Sequence, residues 1–157
     1  MPEISPMDLQ NSLPALLPAV IAWAENQAAL VVEHGLPLTP AWMEVARRVG
    51  VMSPERIRIM LVEEMPQPED AQLRQTAARA GLLGAGTAGL TLGYAILVLR
   101  GCDSVRLVSH ECRHVHQYEK MGSIAAFMPV YLQQVLHYGY EDAPLEVDAR
   151  AHEIETA

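Results

Sequence analysis

Aromatic residues, cysteine and clustered basic residues are all scarce in this chain of 157 residues, and each shortage excludes something. One Phe and two Trp stand against a hydrophobic content of 50%, so the core must be mostly aliphatic side chains, Ala and Met. Met7, Met43, Met60, Met65, Met121 and Met128 read as core filler, and Trp23 and Trp42 as buried anchors between N-terminal helices and a sheet. Cys102 and Cys112 are too few for a disulfide framework and lack the CxxC spacing of a zinc knuckle. Eleven Lys and Arg against nineteen Asp and Glu give a net charge of −8. That excludes nucleic acid as the main partner, because phosphate binding needs clustered Lys and Arg. Residues 1–6 lack the basic stretch of an export signal, so the expected location is cytoplasmic. No internal repeat or low-complexity segment interrupts the chain, and its length suits a single domain spanning 1–157 with a real core.

Residues 81–99 carry no charge, and a run of ~18–20 apolar residues could span a bilayer. Five glycines and two threonines dilute it, so it reads instead as a buried strand pair: a turn at 84–89 between Leu82-Leu83 and a strand at 90–99. Upstream, Leu13, Leu16, Leu17, Val20, Ile21, Ala24, Ala28, Val31 and Val32 recur at helical spacing over 13–34, until Gly35 and Pro37. Thr39 reads as an N-cap with Pro40 at the first helical position, and the N-terminal helices end at Val49-Gly50. Alternation of Ile57, Ile59 and Leu61 with polar or Met neighbours predicts a strand within 56–65, stopped by Pro66 and Pro68. A polar helix follows over 69–80. Asp103-Ser104 caps the first of three helices over 104–155; the second covers 124–137, with Pro129 expected to kink or limit its first turns. Its inward positions are Phe127, Met128, Tyr131, Leu132, Val135 and Leu136. The third starts from Asp142 as N-cap and runs to about Glu155. The order of elements predicts an α+β fold, several helices packed on a small sheet.

The chemistry concentrates at His110-Glu111-Cys112-Arg113-His114. Each helical residue turns ~100°, so His114 lies ~40° around from His110 and one turn further along. Both imidazoles can then reach one metal ion, with Glu111 beside it. This is the HExxH half-site of zinc hydrolases. Val108, Cys112 and Val115 form a separate apolar stripe on the same helix, and Cys112 reads as a small buried hydrophobe.

A hydrolytic zinc site takes three protein ligands and leaves the fourth position to water. Cys112 and His116 point ~200° and ~240° around from His110 and cannot join it. The third ligand must come from elsewhere in the chain; the last helix offers Glu146 as the first choice, followed by Asp148 and then Glu153. Glu146 lies 32 positions after His114, enough for the intervening helix to cross and return, and Ala143 and Ala149 would let the last helix pack closely.

His110 to Glu119 (HECRHVHQYE) and then Pro144-Leu145-Glu146-Val147-Asp148-Ala149 resemble the gluzincin-type zincin metallopeptidases. In these, HExxH on one helix is completed by a glutamate of a later helix. More specifically, the segment is similar to small bacterial zinc-peptidase-like proteins reading HELxHVxQYE, a Gly-Tyr turn matched by Tyr138-Gly139-Tyr140, and a Pro-Leu-Glu helix start. It covers residues 88–153, departing where Cys112 replaces Leu and His116 adds an imidazole. The resemblance implies a zincin-like fold with HExxH on a central helix, one Zn²⁺ held by His110, His114 and Glu146, and Thr91 to Ile96 in the strand bordering the cleft. It implies metal-assisted hydrolysis of an amide bond in a peptide or protein, with Glu111 as general base toward a zinc-activated water. Tyr140, Tyr138 and His137 are candidate oxyanion donors. The competing expectations are a zincin-like module that binds metal or a partner without turnover, and a membrane-associated peptidase inserting residues 81–99.

Overall fold

The computed structural model describes residues 5–84 and 86–155. Residues 1–4 of the export-signal reading, and Ala85 in the glycine-rich turn, lie outside the described residues. Among those described, six α-helices and a small mixed sheet of four strands make an α+β fold. The sheet order is β1 (Leu36–Pro37), β2 (Arg58–Val62), β4 (Ala95–Leu99), β3 (Gly89–Leu92), with β2 and β4 parallel and the outer pairs antiparallel. Strand β4 is central and covered on both faces, which is why Ala95-Ile96-Leu97-Val98 reads as a continuous apolar run.

Helix α1 (Pro6–His34) begins two turns before the expected 13–34. The early start comes from a capping box rather than from apolar periodicity: Ser5 Oγ accepts from the Asp8 amide, and the Asp8 carboxylate accepts from the Ser5 amide. Pro14 and Pro18 lie within it. Helix α1 is long and apolar enough to cross a membrane by length and composition, and few of its residues are fully buried. Met7 at its start is 71% exposed, contrary to its reading as core filler. Helix α2 (Pro40–Arg48) starts as expected, with Thr39 Oγ1 accepting from the Trp42 amide. Trp23 and Trp42 are half-buried against the two halves of the core rather than fully enclosed.

The strand expected within 56–65 is confined to β2, because Pro54–Arg56 forms a 3₁₀ turn. Helix α3 (Ala71–Arg79) is capped by Asp70 and buries none of its residues. The strand expected over 90–99 is a hairpin, β3 and β4 joined by Gly93-Tyr94. Gly93 adopts φ +67° at the first position of a two-residue loop, a conformation glycine permits without a Cβ clash. Leu92, Ile96, Leu97 and Val98 are thus packed within a sheet, not strung along a membrane helix.

Ile96 and Val98 pack with Val108, Cys112 and Val115 of α4 (Val105–Met121). On the other side Ala95 and Leu97 pack with Ala24 and Val31 of α1 and with Phe127 and Met128 of α5 (Ile124–Tyr138). Helix α5 runs through Pro129 instead of being limited by it. Phe127, Met128 and Val135 are buried; Tyr131, Leu132 and Leu136 are half-buried. Helix α6 (Pro144–Ala151) is capped by Ala143, not Asp142, since Pro144 occupies the first helical position. It stops at Ala151, four residues short of Glu155. There the chain leaves the helix and the Ile154 amide donates to Ser109 Oγ on α4.

Candidate metal centre

Helix α4 carries two of the residues that meet here. Its start is fixed by Ser104 Oγ, which accepts from the Leu107 amide, and its end by Gly122 at φ +99°. Burial of Val108, Cys112 and Val115 against the sheet sets its rotation. That rotation turns His110 and His114 toward α6 and Glu111 toward β3; the close approach of α6 depends on Ala143 and Ala149, both fully buried. Burial pushes the Cys112 thiol up to about 12, consistent with an inert packing residue.

Glu146 is 2% exposed and stands between the two imidazoles. His110 Nε2 lies 3.1 Å from its Oε1, and His114 Nε2 lies 3.2 Å from its Oε2. One ligand atom from each of the three residues falls within 4.8 Å of the others. Tetrahedral zinc with bonds of about 2.0–2.1 Å holds its ligand atoms about 3.3 Å apart, close to the two His–Glu spacings. Two imidazoles and one carboxylate are also a donor set that zinc accepts. The residues present therefore fit the ion.

The outer nitrogens are engaged too. His110 Nδ1 is 2.8 Å from Glu153 Oε2, and His114 Nδ1 is 2.8 Å from Gln117 Oε1. A carboxylate can only accept. Gln117 spends its amide hydrogens on the Leu145 carbonyl and on Asp148 Oδ2, leaving its oxygen to accept. Both Nδ1 atoms therefore carry hydrogen, and neutral imidazoles would present their Nε2 lone pairs toward Glu146. Tyr131 Oη donates to Glu146 Oε2 at 2.7 Å, aligning the carboxylate from α5.

Burial alone would lower the pKa of His110, but the hydrogen bond to Glu146, the charge of Glu111 and the bond to Glu153 together raise it to about 9. His114 is raised in the same way against its burial, chiefly by Glu146. Burial would raise Glu146, yet the hydrogen bonds from His110 and His114 hold it well below the usual carboxylate range.

Glu111 is 5% exposed, and Thr91 Oγ1 donates to its Oε1 at 2.8 Å, leaving Oε2. A Cβ built on Gly89 would come within 2.9 Å of the Glu111 carboxylate, so that close approach of β3 to α4 requires glycine. Glu111, Glu146, Tyr140, Gly89 and Thr87 stand where two spaces meet: an open cleft of about 760 Å³ and an apolar cavity of about 140 Å³.

The alternative third ligands serve elsewhere. Asp148 binds Arg113 through both carboxylate oxygens, and Glu153 bridges His110 and Arg106. His116 Nδ1 donates to the Gly50 carbonyl. Among the expected oxyanion donors, Tyr140 lines the cleft, whereas Tyr138 and His137 line neither space and meet each other edge to face. Tyr131, Gln117, Thr91 and Gly89 were not singled out for the site from sequence. Gln117, three residues after His114 on one helix, had a local signal; the others depend on tertiary packing. Comparison with protein-family models, curated proteins and solved structures gives no match for this chain.

Proposed function

We propose that this protein is a zinc-dependent hydrolase of amide bonds, a metallopeptidase with zincin-like architecture. The observation that carries the reading is the convergence of His110, His114 and Glu146 with Glu111 beside them at a cleft. A bound zinc ion would supply Lewis acidity toward a substrate carbonyl and make water acidic near neutral pH. Glu111 Oε2 takes a proton from the attacking water and returns it to the leaving amine, while Thr91 holds Oε1. Glu153 and Gln117 fix the imidazoles in one orientation, so their Nε2 atoms need no rearrangement. Burial raises the pKa of Tyr140, keeping its phenol protonated as a hydrogen-bond donor at the cleft.

The test is Glu111→Gln in purified protein loaded with zinc and assayed on a mixed peptide library. Zinc content should stay at one ion per chain, and peptide cleavage should fall by at least about 100-fold. Cleavage equal to that of the parent would contradict the general-base role. Absence of cleavage in a zinc-loaded parent would favour a metal-binding module without turnover.

A further inference from the structure

The apolar cavity beside the centre is walled by segments from across the chain, most of whose residues supply no ligand. Leu16 and Trp23 from α1, Leu73 and Ala77 from α3, and Leu132 and Leu136 from α5 are among its walls. Its ionisable carboxylates and imidazole, Glu111, His114 and Glu146, all belong to the metal centre. Helix α3 buries none of its own residues, although Leu73, Thr76 and Ala77 share one face with Ala80 just past its end. That face covers the cavity rather than a packed core. We propose that α1, α3 and α5 form a receptor for one uncharged, leucine- or phenylalanine-sized side chain of a peptide substrate, next to the bond that is cut. This rests on the amide-hydrolase reading above.

Size and polarity select the occupant. A cavity of about 140 Å³ is close to the about 150 Å³ that accommodates a benzene molecule in an apolar interior. A leucine or phenylalanine side chain fits that space, and a long acyl chain exceeds it. A charged side chain would lose its hydration without finding a partner among the Leu, Ala and Trp walls. Glycine or alanine would leave the walls uncovered. On the other side of the centre the open cleft, with Arg106, Arg150 and Glu141 among its lining residues, imposes no comparable enclosure. Selectivity is therefore one-sided about the scissile bond.

The experiment uses the metal-free full chain, N-acetyl-phenylalanine amide and N-acetyl-glycine amide, with the methyl groups of Leu73, Leu90 and Leu132 observed by NMR. The phenylalanine amide should shift these methyls and bind at least about 10-fold more tightly than the glycine amide. Ala77→Phe, placed on the exposed helix α3 and directed into the cavity, should weaken that binding about 10-fold while leaving zinc affinity unchanged. Equal affinity for both amides, or shifts that spare all three leucines, would overturn the proposal. A second readout separates it from the hydrolase reading. Zinc-loaded protein that cleaves peptides indifferently to the flanking side chain contradicts the receptor alone. Selective binding without any cleavage contradicts the hydrolase alone.

Discussion

At the scale of single residues, the centre places two imidazoles around one buried carboxylate, and the proton inventory follows. With His110 raised to about 9 and His114 also raised, both compete for metal as protonated groups at neutral pH. Zinc binding at pH 7 should release at least about one proton, measurable by calorimetry in buffers of differing ionisation enthalpy. Apparent affinity should rise with pH until about pH 9. In the metal-free protein the sign of the stability effect is opposite. A histidine whose folded pKa exceeds its unfolded value stabilises fully below about pH 6.5, and that contribution disappears as the pH rises through about 9. Flat metal affinity between pH 6 and 9 would contradict the assignment of these imidazoles. Asp148, lowered to about 2 chiefly by its hydrogen bonds from Arg113, adds stability above about pH 4 that is lost as the pH falls through 2.

At the scale of elements, the site depends on how closely α6 lies against α4. Ala149 is fully buried at that contact, and Glu146 lies three residues before it on the same helix. Ala149→Leu should overpack the contact, costing about 1–3 kcal/mol in a denaturant titration and weakening zinc binding at the same time. Lost stability with unchanged zinc affinity would show that Glu146 does not depend on this contact. Elements set by local signals were legible: Thr39 before Pro40, Ser104 before Val105, and the 110/114 pairing with its apolar stripe on the opposite side. The hairpin was not, because β4 is buried on both faces and the apolar run continues across its turn. The only local mark was Gly93, one glycine in a stretch containing several. Helix α1 was underestimated because its first two turns rest on the Ser5–Asp8 cap rather than on periodicity. Helix α6 was overextended because its end is dictated by the contact of Ile154 with Ser109, 45 residues away in sequence.

At the scale of the whole molecule, the elements have different tasks. Helices α4 and α6 carry the donors, α5 both supports Glu146 and walls the apolar space, and α1 and α3 complete that wall. The first task was readable because His110, Glu111 and His114 lie within five residues, and Glu146 follows at a helix start. The second was not: a cavity is defined by residues from distant segments, and α1 taken alone looks only apolar. Tyr131 shows the same limit, since as a sequence position it is an inward-facing helix residue and only packing brings its hydroxyl to Glu146. The central claim is that His110, His114 and Glu146 hold one zinc ion together. Competitive titration of the full chain against a chromophoric chelator tests it most directly. The parent should bind one zinc per chain, and Glu146→Gln should bind at least about 100-fold more weakly with its fold retained by circular dichroism. Unchanged affinity in the folded Glu146→Gln protein would contradict the account.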